Sequence, residues 1–311
     1  MGSLVLSFTP PKNWQDFELL TKEVARKRFD TDFDLYGRSG QKQHGVDITG
    51  MDKDYHLIGI QCKHKKQESP KSKRIHLPIS QKIIEDEVSK AGGFKPALNR
   101  FIIATTSFRD TGIQAKLVKL NVERVKKSLF PVEIWFWETF EEEINNHIEL
   151  AYLYFEKTLK ALGQYNKDQH ILYLLKTALQ RPAFTTPFHL ENNSADFLQA
   201  IMDTQRAFNT GKLYDRDNNI LASAYAADKL SEDGDRRAID EVKKELQEIR
   251  NFTTDHMRKG NIRQLGNILE FAWNDKIKVP DSLNEMRRKV LTAFNLILGR
   301  YSIAKIDSPL I

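Results

Sequence analysis

Residues 36–63 read YGRSGQKQHGVDITGMDKDYHLIGIQCK, and the fold turns on how this stretch is parsed. A loop rich in Gly and Gln leads into Gly45-Val46-Asp47-Ile48, and the run Leu57-Ile58-Gly59-Ile60-Gln61-Cys62-Lys63 predicts a second strand. In a strand, alternate side chains share a face, so Ile58, Ile60 and Cys62 point one way and Gly59, Gln61 and Lys63 the other. A hairpin brings Asp47 beside Gln61 and Lys63. An Asp between Val46 and Ile48 packs poorly and needs a local reason. One carboxylate, one amide oxygen and one ammonium at a sheet edge can hold a divalent cation and polarise a phosphodiester. The alternative for Lys63 is a strand lysine whose stem lies on apolar surface. Cys62 points inward as a small buried hydrophobe.

At these residues the chain resembles the PD-(D/E)xK nuclease superfamily, most of all its Mrr-like branch, in which Gln replaces the acidic residue before x-Lys. The match is Asp47, thirteen intervening residues, then Gln61-Cys62-Lys63. It is extended by Trp14-x-x-Phe17-Glu18 on an opening helix and by the run Ile102-Ile103-Ala104-Thr105-Thr106 after a further helix. The resemblance spans roughly residues 10–147 and implies a restriction-endonuclease-like αβββαβ core with a mixed sheet. It implies catalytic residues Asp47, Gln61, Lys63 and Glu18, with Asp47, Gln61 and Glu18 holding Mg²⁺ or Mn²⁺. For Glu18 the competing readings are a solvated helix glutamate, or Glu23 in its place. The implied activity is DNA endonuclease cleavage leaving a 5′-phosphate and a 3′-hydroxyl, as an effector of bacterial restriction or anti-phage defence. A catalytically weak nucleic-acid-binding or assembly module, and a structure-specific DNA or RNA repair nuclease, are the alternatives.

Around this core the chain reads in order. Asn13 caps a helix from Trp14 to about Arg28, with Trp14, Phe17, Leu20, Val24 and Ala25 on its apolar face. Asp32–Tyr36 predicts a short strand, and Asp52 and Asp54 fall in a polar turn. Arg38 and Lys42 in the Gly-rich loop, where exposed N–H groups suit phosphate oxygens, are candidate DNA contacts. His44 is a loop hydrogen-bonder or a proton shuttle. The segment 64–74 holds Lys65, Lys66, Lys71, Lys73 and Arg74 against Glu68 alone, and Pro70 makes it a loop. Beside a nuclease site such a run can hold phosphates; elsewhere it is a solvated loop. Leu77–Ala91 predicts a helix carrying Gln81, Glu85 and Glu87, none of them assigned to the site. Phe101–Thr105 predicts a buried strand, Thr111–Lys127 a helix, Pro131–Trp137 a last strand and Glu138–His147 a closing helix.

From Ile148 the periodicity is helical, in segments near 149–162, 168–180, 194–209, 219–231, 235–259, 261–274 and 281–301. The expected organisation is therefore a nuclease domain, 1–147, and an all-α domain, 148–311, that regulates, oligomerises or binds a partner subunit or activator. The length of 311 residues suits two domains. Composition is 40% hydrophobic and 29% charged, ordinary for a globular chain. A net charge of +6 favours an anionic partner such as DNA. The excess divides almost evenly between the halves, so clustering carries that argument. One cysteine gives no intrachain disulfide and no cysteine-built zinc site, which fits a reducing cytoplasm. No run approaches the roughly 18 apolar residues of a membrane span, and MGSLVLSFTPPKNW lacks the charge and apolar run of a signal peptide. Phosphate-loop, dinucleotide and zinc-protease motifs are absent, as is the nucleophile elbow.

Overall fold

A computed structural model describes residues 6–37, 43–65, 79–189, 191–192, 197–214, 218–266, 268–272 and 278–310. Chain contacts divide it into two compact units, Met1–Phe155 and Glu156–Ile311.

The first unit begins with α1 (Trp14–Phe29), β1 (Phe33–Leu35), β2 (Ile48–Met51) and β3 (Leu57–Lys63). It continues through α2 (Gln81–Ala91), β4 (Arg100–Thr105), α3 (Thr111–Lys126), β5 (Val132–Trp135), α4 (Trp137–Asn146) and α5 (Ile148–Tyr154). Asn13 starts α1 by accepting the Asp16 N–H on its side chain at 2.7 Å. Asp110 does the same for α3 through Ile113 N–H. The sheet order is β1-β2-β3-β4-β5. β1 and β3 flank β2 antiparallel, while β3, β4 and β5 run parallel, so the sheet is mixed and the class is α/β.

Alternation along the strands sorts the side chains between two layers of helix. Phe101, Ile103 and Val132 pack with Ile84, Val88 and Ala91 of α2 and Ile113 of α3. Gly59, Gln61 and Lys63 share that side; a Cβ on Gly59 would lie 2.8 Å from Leu98. The opposite face meets α1 and α4: Phe17 lies 5.1 Å from Phe140, and Phe29 stacks at 6.0 Å on Trp135. Trp14, expected on the buried stripe of α1, is half exposed, because it precedes the turn that reaches the sheet; Phe17, Leu20, Val24 and Ala25 are fully buried. α5 belongs to this unit, so the first unit extends past 147. Leu150, Ala151 and Tyr152 are buried, and Glu149 pairs with Lys27 at 2.7 Å.

The second unit comprises α6 (Glu156–Ala161), α7 (Lys167–Leu179), α8 (Pro182–Thr185), β6 (Glu191–Asn192), α9 (Phe197–Thr210), β7 (Lys212–Tyr214) and β8 (Ile220–Ser223). After a 3₁₀ turn at Ala227–Lys229 come α10 (Asp233–Arg258), β9 (Ile262–Leu265), β10 (Ile268–Phe271) and α11 (Val279–Arg300). It is mainly helical but not all-α, which corrects the expectation. The segments near 219–231 and 261–274 hold strands. β8 folds back on β7, where Gly211 at φ +66° lies so close to Ala224 and Tyr225 backbone that a Cβ would sit 2.5 Å away. β9 and β10 form a hairpin with Leu265 opposite Ile268 and Gly266 at φ +59° in its two-residue turn. Two buried polar groups tie the helices. Arg287 of α11 donates to Ala183 O at 2.9 Å and Thr186 O at 2.8 Å, closing the end of α8, with its guanidinium 3.9 Å above Phe188. Tyr301 donates to Asp235 at 2.6 Å, joining the end of α11 to the start of α10.

Candidate functional site

Asp47 stands immediately before β2, where its backbone is already held in the sheet: Asp47 N–H donates to Ile60 O at 2.8 Å, and Asp47 O accepts from Tyr36 N–H at 2.7 Å. Its side chain is fixed as firmly. Asp47 Oδ2 accepts from Cys62 N–H at 2.7 Å and from the Gln61 side-chain amide. The β2–β3 register, Ile48 opposite Ile60, brings these groups together. Gln61 is 7% exposed, so its amide is a buried polar group satisfied by Asp47. The amide turns its nitrogen, not its carbonyl, toward the carboxylate.

Lys63, two residues on and on the same face, places Nζ 3.0 Å from Glu87 Oε1. Lys90 meets the same oxygen at 2.8 Å. Glu87 is 5% exposed. It lies one turn after Ile83 and Ile84 and one turn before Ala91, on the apolar stripe of α2. An acid at a core-facing helical position was the available signal for its place in the site. Gly45 makes room for it: at φ +69°, a Cβ there would meet Glu87 Oε2 and Lys90 Cβ at 3.1 Å and Gln61 Oε1 at 3.4 Å. The backbone approaches the acid only because no side chain intervenes.

Glu18, on α1, lies within electrostatic reach of Asp47. Burial, then the neighbouring Asp47 carboxylate, pushes its pKa up to about 7. Burial likewise raises Asp47, opposed by the Cys62 N–H and the Lys63 ammonium and reinforced by Glu87. Comparison with protein-family models, with curated proteins and with solved structures returned no match. The site therefore stands on its own geometry. Asp47, Gln61 and Lys63 share one strand end with Glu87, and Glu18 lies near enough to Asp47 for the two charges to act on each other. Glu23, the competing acid on α1, instead contacts Lys22 and Arg26 at 3.5 Å each.

These groups are oxygen donors of the kind a hard divalent cation takes, although among the described residues the cluster of three or more whose ligand atoms already lie within 4.8 Å of one another is Asp52, Asp54 and His56. Asp47, Glu18, Glu87 and the Gln61 amide offer oxygens, and burial, more than neighbouring charge, holds the Glu18 and Asp47 carboxyls above their ordinary range. Cys62 is unsuited to nucleophilic chemistry, since burial and the nearby Asp47 push its thiol well above the ordinary range. Of the candidate DNA contacts, Lys65 is described: its backbone N–H donates to Thr106 Oγ1 at 2.8 Å, and burial with the neighbouring Lys63 lowers its pKa. Arg38, Lys42, Lys66, Lys71, Lys73 and Arg74 lie outside the described residues. Gln43 donates to Tyr36 O at 2.7 Å and closes the loop before Asp47. His44 adopts φ 51° with its ring against Gly93. Asp52, Asp54 and His56 draw together in the β2–β3 turn, where Asp52 Oδ1 accepts from Asp54 N–H and His56 N–H at 3.0 Å each. Turn formation accounts for that group. Among the described residues, no helix is long and apolar enough to cross a membrane.

Proposed function

We propose that the chain is a metal-dependent nuclease that hydrolyses phosphodiester bonds in DNA, with Asp47, Glu18, Gln61 and Glu87 around the cation and Lys63 beside it. The observation that carries this reading is the gathering at one strand end of a fixed Asp47 carboxylate, the buried Glu87 carboxyl and the Lys63 ammonium 3.0 Å from Glu87, with the half-buried Glu18 near Asp47. A bound Mg²⁺ or Mn²⁺ would polarise the phosphodiester and acidify a water molecule.

The chain's own groups do the rest. Cys62 N–H and the Gln61 amide hold Asp47 in one orientation, so the carboxylate needs no reordering when a cation arrives. Lys63 offers its ammonium to a non-bridging phosphate oxygen and stabilises the charge that grows there in the transition state. Glu87 holds Lys63 in place through their ion pair. Lys65, two residues further, adds positive charge where the substrate backbone would pass. An effector role in bacterial restriction or anti-phage defence remains the physiological context that the Asp47…Gln61-x-Lys63 resemblance suggests, with the second unit regulating, oligomerising or docking a partner.

One observation favours a second reading, a module that binds nucleic acid and cuts weakly. Gln61 brings no charge where a carboxylate would strengthen cation binding, and Lys63 is already engaged by Glu87. The two readings separate on plasmid DNA incubated with Mg²⁺, Mn²⁺ or EDTA. The nuclease reading expects metal-dependent cleavage that Asp47→Ala and Lys63→Ala each reduce by about 100-fold or more, the scale of losing a transition-state stabiliser. Cleavage that survives in Asp47→Ala would sink the assignment. DNA binding without cleavage in every form would favour the binding module.

A further inference from the structure

α3 has two apolar faces, and the fold uses one. Its inner face is Ile113, Leu117 and Leu120, packed on the sheet, with Asn121 exchanging two hydrogen bonds with Val132 at 2.8 and 2.9 Å. Arg124 completes that face by donating to Phe130 O at 2.7 Å. On the opposite side, Ala115, Val118, Val122, Val125 and Leu129 follow one another at steps of three, four, three and four. Val118 is 63% exposed, Val122 50%, Val125 66% and Leu129 46%. Leu129 follows the helix in a helix-ending turn, where Ser128 at φ 53° donates its N–H to Val125 O and Leu129 N–H donates to Arg124 O, both at 3.0 Å.

Valine gains nothing from this location. It is a mediocre helix former, and its branched carbons lie in water. A contiguous exposed apolar stripe on a monomer marks a contact surface. Three-four spacing over about three turns is the seam that accepts a second helix, with knobs entering holes. The flanks say which helix. Along one edge stand Lys116, Lys119 and Lys126, with Glu123 among them paired to Lys126 at 3.1 Å; the other edge is uncharged, Gln114 and Asn121. A second copy in antiparallel register would set Lys119 against Lys126, and in parallel register it would gain no ion pair. A lipid surface favours a broad face of Trp, Phe and Leu, not a single row of valines.

We infer that the outer face of α3 docks an amphipathic helix of a partner protein whose apolar seam is flanked by Asp or Glu. This inference is independent of the chemistry at Asp47. The probe is a three-heptad helical peptide with Ile and Leu on the seam and Glu at both flanks, compared with the same peptide flanked by Lys. Fluorescence anisotropy with the full chain should show the Glu peptide binding about tenfold more tightly or better, on the scale of charge complementarity at a small interface. Val118→Glu with Val125→Glu should abolish binding, at an unchanged thermal melt because both positions are exposed. Lys119→Glu with Lys126→Glu should reverse the preference. Equal binding of the two peptides, or none, overturns the inference. So does a dimer in sedimentation that the valine substitutions dissociate, which would make a second copy the occupant. So does co-sedimentation with anionic phosphatidylserine vesicles that the same substitutions remove, which would make it a lipid surface.

Discussion

Glu18 gives the site a pH dependence whose sign can be worked out. Its ordinary value is 4.5, and burial beside Asp47 raises it to about 7. A carboxyl whose pKa is raised on folding binds its proton more tightly when folded than unfolded. Its stabilising contribution is full below 4.5 and is lost as the pH climbs toward 7. In metal-free protein, Glu18→Gln should therefore gain stability over wild type at pH 8 but not at pH 4, measured by thermal melts across that range. Metal binding runs the other way, because a cation must displace the proton. Mn²⁺ affinity measured by calorimetry should rise through pH 7 in wild type and flatten in Glu18→Gln. Identical pH profiles for the two proteins would remove Glu18 from the site. Asp47 could be read from sequence at this scale because a carboxylate between Val46 and Ile48 is anomalous in any packing scheme. Glu87 was equally anomalous, an acid on the stripe that carries Ile83, Ile84 and Ala91. It was not assigned because a helix pattern tells which face a residue occupies, not that the facing strand offers Lys63 at 3.0 Å.

Elements were legible where a single period dominates. The strand Leu57–Lys63 is read to its ends from alternation, and α1 from the Asn that caps it. The strands of the second unit were hidden because their pairing is short and set by backbone contact. Gly211 is needed for the approach of Ala224 and Tyr225, which lie well beyond any local window, and the Ala-rich run 222–227 looks helical by propensity alone. The hairpin Ile262–Phe271 carried a usable signal, Gly266 just after Leu265 and before Ile268-Leu269, but its strands are only four residues each. Arg287 is the other hidden determinant. A cation in the middle of α11 reads as solvated, yet it is fully buried and satisfies two carbonyls at the end of α8. Burial pushes its pKa down to about 9, which still leaves it charged at neutral pH. Arg287→Met keeps the apolar stem and removes the donors. It should cost about 3 kcal/mol, the scale of leaving buried carbonyls without charged partners. Urea titration of the full chain should show this as a loss in the transition of the second unit. A cost below about 0.5 kcal/mol, the ordinary scatter of surface substitutions, would mean that water replaces the guanidinium.

For the whole molecule, the question is where the first folding unit ends. Sequence periodicity put the boundary at 147, because the closing helix α4 completes the αβββαβ plan and the helical run after it looks like a new domain. The packing puts it after Phe155. Leu150 and Ala151 are 1% and 0% exposed, Glu149 pairs with Lys27 on α1, and the Phe155 ring packs tilted at 4.9 Å against Phe8 in the N-terminal arm. Phe8 is itself fixed from the other side, since its carbonyl accepts from the Trp137 indole at 2.7 Å. α5 thus locks the arm and α1 over one face of the sheet, and α1 carries Glu18. A fragment 1–155 should fold as one cooperative unit and bind Mn²⁺ with the affinity of the full chain. A fragment 1–147 should be less stable by several kcal/mol, because it exposes Phe8, Trp137 and the inner surface of α1, at roughly 1.5–3 kcal/mol for each large apolar side chain uncovered. Its Mn²⁺ affinity should fall with the loosening of α1 even though none of Asp47, Gln61, Lys63 and Glu87 is removed. Calorimetry and chemical denaturation of the two fragments decide the matter. Equal stability would return the boundary to 147 and make α5 a linker. A stable 1–155 that binds no metal, while the full chain does, would take the cation site away from Asp47.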